Sequence, residues 1–209
     1  TLDDSLARLG TDHLDLWLVQ IPDYYTPMEE TASALEMAVR SGRTRYVGVS
    51  NYPAWAAVHM ADLLGSAIGM AGVQTEYSLL NRSAEQELIP AAQELGFGIM
   101  GWSALGRGVL TGKYRNATPP DSRGASVHLA GFVAPYLNDD AARVVNAVAT
   151  AAAGLERSPL EVALAWARGS DGIDCSIVGA RNTHQLRDIL AAADLQLEPQ
   201  IRHVLNEVS

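Results

Sequence analysis

The chain is poor in cysteine and has no long apolar run. Cys175 is the single thiol among 209 residues, which excludes an internal disulfide and favours a reducing, cytoplasmic location. The sequence around it, Asp-Cys-Ser-Ile-Val-Gly, predicts a buried strand, where a thiol is usually unreactive. No apolar stretch approaches the roughly 20 residues that a membrane-spanning helix needs. The sequence therefore predicts neither a disulfide-stabilised domain nor a membrane span.

Basic residues are scarce relative to acidic ones. Lys and Arg together number 15 and Asp and Glu 24, which gives a formal net charge of -9. A surface of this sign repels nucleic acid and anionic membranes, so the chain is not expected to bind either. A local basic pocket for one phosphorylated ligand remains possible. Histidine, cysteine and paired carboxylates are rare at the ends of the predicted strands, so a metal site is not expected.

Short apolar segments typical of buried parallel strands recur along the chain. They lie at 15–21, 45–49, 71–77, 97–102 and 175–179. Between most of them, N-cap and capping-box patterns predict helix starts at Thr26-Pro27, Ser83 and Ser158-Pro159. Because strands and helices alternate, the fold class is predicted to be α/β with a parallel sheet.

Two parallel architectures remain open for five strands. A closed barrel needs about eight, whereas an open sheet accommodates five but leaves unpaired edges. The glycine-rich segment 101–114 lacks the G-x-G-x-x-G order of a Rossmann unit. The segment 114–139 is rich in Pro, Gly and Ser and predicts a long excursion of the kind that often carries function. Helices at about 140–153 and 158–168 follow it.

Polar side chains follow the predicted strands, at the edge of a parallel sheet where ligands bind. They are Gln20, Ser50, Asn51, Gln74, Tyr77, Ser103 and Arg181. Amides, hydroxyls, an aromatic ring and cations suit a ligand with an amide, a flat ring and phosphates, as in a nicotinamide dinucleotide. The loop after the fourth strand adds three glycines, Arg107 and Lys113, so that an anion can approach its backbone N–H groups. A plain strand-to-helix turn is the alternative for this loop.

Seven segments, in this order, resemble the aldo-keto reductase superfamily. They are LARLGTDHLDLWLVQIPD, TPMEE, SGRTRYVGVSNY, VQTEYSLLNR, GWSALGRGVLTGKY, PPDSRGAS and IVGARNTHQL. The resemblance extends from about residue 4 to about residue 208 and is strongest to the bacterial branch related to the potassium-channel β-subunit. It implies a (β/α)8 TIM barrel, of which this chain supplies about the last five strands as a single domain over 1–209. It also implies NADPH as cofactor and hydride transfer between NADP(H) and a small carbonyl or alcohol substrate.

The resemblance assigns cofactor contacts to residues that match the family by position. The nicotinamide carboxamide is expected at Ser50, Asn51 and Gln74, and the nicotinamide ring on Tyr77. The pyrophosphate is expected along Ser103, Leu105, Gly106 and Gly108, with Lys113 and Arg123 nearby. The adenosine 2'-phosphate and the adenine are expected at Arg181 and Gln185. Further cofactor-binding positions are Trp102, Ala104, Gly179 and Asp188; Asp188 agrees with the family's pattern there, whereas Ile189 replaces its usual amide.

Three of these assignments have a structural alternative. Ser50 and Asn51 could instead cap a helix that begins at Pro53, which is a common local use of these residue types. Tyr77 could be an ordinary core residue. Arg181 could be a solvated surface residue.

The resemblance places most catalytic residues outside these 209 positions. In the family a tyrosine donates the proton, aided by a lysine and an aspartate, and all three are expected on strands preceding Thr1. The chain is therefore expected to be truncated, with the missing amino-terminal part of the barrel as its partner. Gln20 occupies the position of the family's usual histidine; it can donate a hydrogen bond but has no proton that titrates near neutral pH.

Two functions therefore remain open. In the first, the chain is the carboxyl-terminal, cofactor-binding part of an NADPH-dependent oxidoreductase. In the second, it is a non-catalytic NADPH-binding or redox-sensing interaction module. Tyr24, Tyr25 and Phe132 are candidates for the wall of a carbonyl pocket, with surface aromatics as the alternative.

Overall fold

The computed structural model describes all 209 residues and alternates short strands with helices. The strands are β1 Leu14–Val19, β2 Thr44–Ser50, β3 Gly72–Glu76, β4 Gly98–Trp102 and β5 Cys175–Ile177. The helices are α1 Leu2–Leu9, α2 Met28–Arg40, α3 Ala54–Ile68, α4 Leu88–Leu95, α5 Ala130–Val133, α6 Asp139–Gly154, α7 Pro159–Arg168, α8 Thr183–Ala191 and α9 Pro199–Val208. Short 3-10 turns lie at Ser83–Glu85, Gly106–Thr111, Arg123–Ala125 and Ala134–Tyr136.

The five strands form one sheet whose spatial order follows the chain, β1-β2-β3-β4-β5. The pairs β1–β2 and β2–β3 are parallel, with Leu14 opposite Thr44 and Ser50 opposite Gln74. Sequential order differs from doubly wound sheets, in which the strand order reverses at a switch point. The predicted parallel α/β sheet is confirmed, and each predicted strand is present within two residues of its expected bounds.

The chain divides into two compact units. Unit 1 comprises residues 1–75 and 84–100, and unit 2 comprises residues 76–83 and 101–209. In unit 1, helices α2 and α3 pack together, and buried core residues include Val47, Val49 and Met60. In unit 2, α6 packs on α7 and α9, around core residues that include Val148 and Leu205. The single domain expected from the sequence stays a prediction.

The three predicted helix starts have different outcomes. The Ser158 capping box is confirmed: its hydroxyl accepts from the N–H of Glu161, whose carboxylate accepts from the N–H of Ser158. The box at Thr26 is wrong, because α2 is preceded by Pro27 without a side-chain cap and the Thr26 hydroxyl donates to Asp23. The start at Ser83 is also wrong as an α-helix, because a 3-10 turn lies there and α4 begins only at Leu88.

Two further expectations concern β5 and the excursion before α6. Cys175 is exposed rather than buried, because β5 is the outermost strand of the sheet and is only three residues long. The thiol is nonetheless partly shielded from water, and this partial burial raises its pKa above the usual value. The excursion 114–139 is mostly irregular, as predicted, with one short helix and two 3-10 turns. None of the helices combines the length and apolar character needed to cross a bilayer.

Candidate functional site

In unit 1, an amide cluster forms where β1, β2 and β3 end. The N–H of Asn51 donates to the carbonyl of Gln74 at 2.8 Å. The Asn51 side-chain amide donates to the carbonyl of Gln20 at 3.0 Å and to the hydroxyl of Ser50 at 3.1 Å. Four residues that the sequence predicted for the site are thus brought together. Gln20 is exposed here, Gln74 is half-buried and Ser50 is buried.

The backbone at Asn51 is what makes this cluster possible. Asn51 has φ of 59°, a left-handed conformation that asparagine tolerates better than most residues. Its side chain thereby bonds back to the neighbouring strand ends. Helix α3 is preceded by Pro53 and has no side-chain cap, so the alternative role of Ser50 and Asn51 as helix caps is excluded. Left-handed non-glycine residues often occur at functional sites, where the surroundings hold them.

In unit 2, a cavity of about 490 Å³ lies between the glycine-rich loop and the end of β5. Ten of the residues predicted from the sequence line it: Trp102, Ser103, Ala104, Leu105, Gly108, Lys113, Arg123, Gly179, Arg181 and Gln185. Lining residues that the sequence did not predict for the site include Thr111, Leu160, Ile177, Val178 and Ile189. These are mostly apolar and complete the wall, a role that residue type alone does not reveal.

The glycine-rich loop is open toward the cavity at Gly108. Its backbone is left-handed at Ser103, Gly106 and Gly108, with φ of 58°, 54° and 96°. A Cβ atom on Gly108 would lie 3.3 Å from the Lys113 ammonium, so the absent side chain keeps the backbone and this cation side by side. The loop forms a 3-10 turn over Gly106–Thr111 rather than starting an α-helix. The alternative of a plain strand-to-helix turn is therefore wrong.

Three predicted cations line this cavity, and groups other than carboxylates contact two of them, Lys113 and Arg181. The Lys113 ammonium lies 5.1 Å from the centre of the Tyr114 ring. The Tyr114 hydroxyl accepts from the N–H of Gly124 at 3.1 Å and so fixes the turn that carries Arg123. The Arg181 guanidinium donates to the carbonyl of Asp121 at 3.1 Å. The contacts of Lys113 and Arg181 orient these two side chains without cancelling their positive charge.

Gln185, which is predicted to bind the adenosine end together with Arg181, also fixes the Arg181 backbone. The N–H of Arg181 donates to the side-chain oxygen of Gln185 at 2.9 Å, and Asn182 caps helix α8. Arg181 is exposed, as its structural alternative requires, yet it also lines the cavity. Asp188 does not line it and instead lies 3.5 Å from His184 on the same helix. Ile189 lies in the wall where the family usually has an amide.

Two other predicted residues lie outside the cavity wall. Tyr77 is 1% exposed, and its ring stacks on Trp166 with centroids 5.4 Å apart. Tyr77 thus has the packing of a core residue, and its contact with a nicotinamide ring stays a prediction. Gly106 is buried, and a Cβ there would meet the Leu80 side chain at 2.7 Å, so packing and its left-handed backbone both favour glycine at this position.

The aromatic ring that does line the cavity is Trp102, at the end of β4. It is half-buried and stacks on Phe132 with centroids 6.4 Å apart and an interplanar angle of 13°. Among the residues predicted for a carbonyl pocket, Tyr24 and Tyr25 in unit 1 are 76% and 101% exposed, so the chain itself builds no wall around them. No group of His, Cys, Asp or Glu side chains is arranged to hold a metal ion.

A family model described as "Aldo/keto reductase family" matches residues 1–208. The chain belongs to the aldo/keto reductase family. The resemblance seen in the sequence is therefore confirmed, including its relation to potassium-channel β-subunits, and the parallel α/β sheet agrees with it. The family is one of oxidoreductases that generally use a nicotinamide nucleotide.

Curated relatives of this chain come from bacteria, plants and a fission yeast. The chain is 32% identical over 212 residues to the "Uncharacterized oxidoreductase YrpG" of Bacillus subtilis, covering 99% of the chain and 62% of that protein. It is 35% identical over 199 residues to the "L-glyceraldehyde 3-phosphate reductase" of Escherichia coli, covering 92% and 57%. It is 33% identical over 202 residues to a "Probable voltage-gated potassium channel subunit beta" of Oryza sativa, covering 93% and 60%. The chain thus spans about three fifths of the length of these relatives.

Proposed function

We propose that this chain binds NADP(H) and that the unit 2 cavity holds the phosphates and the adenosine end of the cofactor. The observation that carries this proposal is the meeting of an open glycine loop with Lys113, Arg123 and Arg181 at one cavity. Phosphate oxygens are bound by cations that no carboxylate already neutralises. The cavity brings three cations together, and the absence of a side chain at Gly108 lets the Lys113 ammonium lie against the loop backbone.

Within this cavity the residues divide into two groups. Ser103, Leu105 and Gly108, with Lys113 and Arg123, form the side proposed for the pyrophosphate. Arg181 and Gln185 lie at the start of α8 and are proposed for the 2'-phosphate and adenine, which makes NADPH rather than NADH the preferred cofactor. Trp102, Ala104 and Gly179 complete the wall, and Trp102 offers the aromatic face that the buried Tyr77 does not.

The unit 1 amide cluster is a separate part of the proposal. Ser50, Asn51 and Gln74 present hydroxyl and amide groups of the kind that bind a carboxamide. The hydrogen bonds around Asn51 fix its side chain before any ligand arrives, which lowers the entropic cost of binding. The proposed ligand of this cluster is the nicotinamide carboxamide.

The chemistry of the family is hydride transfer between NADP(H) and a carbonyl, supplied by the nicotinamide when the cofactor is bound. Gln20 is proposed to stand at the position of the family's histidine, and the family's catalytic aspartate, tyrosine and lysine are proposed to have no counterpart among these 209 residues. We therefore propose that these 209 residues, as the last five strands of a (β/α)8 barrel, bind the cofactor but do not by themselves protonate a carbonyl. The substrate class proposed for the complete enzyme is a small aldehyde or ketone.

Lys113 offers a direct test because it is the only lysine in the chain. The 209-residue protein is treated with a limiting amine-acylating reagent, and modification at Lys113 and at the Thr1 amino group is followed by mass spectrometry. With NADPH at about ten times its dissociation constant, mass action predicts roughly tenfold slower acylation of Lys113. The rate at Thr1 should not change. Equal Lys113 rates with and without NADPH would contradict the proposed site.

A further inference from the structure

The Arg107 side chain joins three segments of unit 2 that are distant in sequence. Its Nε and Nη2 donate to the two carboxylate oxygens of Glu76, at 2.8 and 2.5 Å. Its Nη1 donates to the carbonyl of Phe132 at 2.6 Å. The guanidinium carbon also lies 4.1 Å from the centre of the Phe132 ring and 4.8 Å from that of Tyr136. The end of β3, the glycine-rich loop and the 130–136 segment are therefore tied together by one side chain.

This ion pair is sheltered from solvent. The Arg107 and Glu76 side chains are only 16% and 10% exposed, and the bidentate hydrogen bonds raise the pKa of Arg107 above its usual value. Removing one member of such a pair leaves the other charged and unpaired in a poorly solvated place, which is strongly unfavourable. The pair therefore fixes the position of the loop more firmly than a surface ion pair would.

The backbone at Arg107 requires such support. Its φ is 58°, and the two flanking residues, Gly106 and Gly108, are also left-handed. This conformation is unfavourable for a residue with a side chain and persists only where the surroundings impose it. The contacts of the Arg107 side chain with Glu76 and Phe132 are what hold the residue there.

We propose that Arg107 and Glu76 are a positioning pair for cofactor binding. Although Arg107 lines the cavity, its charge is already matched by Glu76, so Lys113, Arg123 and Arg181 remain for the phosphates. The pair holds residues 103–112 in their open shape and keeps the 130–136 segment, through Phe132, against Trp102. Preorganisation of this kind raises affinity because less freedom is lost on binding. This inference rests on the proposed function, because the ligand of the loop is the NADP(H) proposed above.

The test compares Arg107→Ala, Glu76→Gln and the double variant with the unaltered chain. Arg143→Ala is the matched control, because it removes an exposed ion pair on α6. Amide hydrogen exchange is measured without cofactor, and NADPH affinity is measured by titration. Both single variants are expected to exchange at least about tenfold faster in 103–112 and 130–136, since local opening becomes easier. The NADPH dissociation constant should rise about tenfold in each, and the double variant should resemble the singles because the two residues act as one unit.

The outcomes separate this inference from the proposed function. Glu76→Gln keeps the size and shape of the side chain, so it remains informative if Arg107→Ala does not fold. If Arg107 contacts phosphate directly, Glu76→Gln will leave NADPH affinity unchanged or tighten it, and that result overturns the positioning role. Unchanged exchange in both segments overturns it whether or not NADPH binds. Failure of the unaltered chain to bind NADPH contradicts the proposed function alone, and the exchange data then decide the role of the pair.

Discussion

The cations around the unit 2 cavity differ in the chemical group that each side chain contacts. Arg107 is bidentate to a carboxylate, whereas Arg181 donates to the carbonyl of Asp121 and Lys113 lies over an aromatic ring. A charge held by a carbonyl or a ring remains available to an anion, while one paired with a carboxylate does not. Substitution of Arg181 is therefore expected to weaken binding of the adenosine 2'-phosphate most directly.

Arg181→Ala is expected to weaken NADPH binding and to leave NADH binding nearly unchanged. A hydrogen bond to a charged group contributes about 1.5–3 kcal/mol, so the NADPH dissociation constant should rise roughly 10- to 100-fold. NADH lacks the 2'-phosphate and loses nothing. Calorimetric titration of both nucleotides measures this, with Arg143→Ala as the exposed-arginine control. An equal loss for NADPH and NADH would show that Arg181 does not read the 2'-phosphate.

Residue type alone predicted the chemistry at the strand ends but not which ring faces the cavity. Tyr77 and Trp102 both follow apolar strand segments, and each is an aromatic residue near the carboxyl end of a strand. Their different exposure comes from helix α7, whose Trp166 stacks on Tyr77 and lies almost 90 residues further along the chain. A contact of that sequence separation leaves no local signal.

Helix starts show how a local sequence pattern competes with its neighbours. The patterns at Thr26 and Ser158 are alike, each with proline next and an acid three residues on. At Ser158 the reciprocal hydrogen bonds form. At Thr26 the side chain instead donates to Asp23 at 2.7 Å, within a turn where Asp23 also accepts from the N–H of Tyr25. Such local side-chain bonds draw residues away from capping.

Ser158→Ala should therefore lower the free energy of unfolding by about 1 kcal/mol, the usual effect of removing an N-cap side chain. Thr26→Ala is the matched control and should have a smaller effect, since it removes no cap. Hydrogen bonding from the Ser158 N–H holds the pKa of Glu161 below its ordinary value. The ionised Glu161 therefore contributes fully to the free energy of unfolding at any pH above that ordinary pKa. This contribution is lost as pH falls through the lower pKa of the folded state. Denaturant unfolding near neutral and acidic pH measures both effects; equal losses for the two variants would contradict the assignment.

At the scale of the whole molecule, the pattern of apolar residues predicts the strands of the sheet correctly but does not predict which of their residues are exposed. The alternation of apolar runs with helical segments predicted all five strands and their parallel class, because burial on both faces leaves a continuous apolar run. The run at 175–179 carried the same signal, yet Cys175 is exposed. Exposure there depends on which strand neighbours β5, and β5 is outermost in this sheet. The division into two compact units also had no signal in composition.

The molecule as a whole combines a preorganised loop, three available cations and a glycine-lined opening in unit 2 with an amide cluster in unit 1. We propose that these features bind the cofactor and that the 209 residues do not supply the family's proton donor. Binding of NADP(H) and protonation of the carbonyl coexist in a complete aldo/keto reductase, and we propose only the first for this chain.

The most direct test is a fluorescence titration of the 209-residue chain with NADPH, followed by addition of a small aldehyde to the saturated complex. We expect saturable binding of one NADPH per chain and no loss of NADPH absorbance beyond that of a buffer control after the aldehyde is added. Absence of saturable binding would contradict the proposal that this chain binds NADP(H). Steady consumption of NADPH would contradict the separation of binding from catalysis and would show that these residues contain a proton donor of their own.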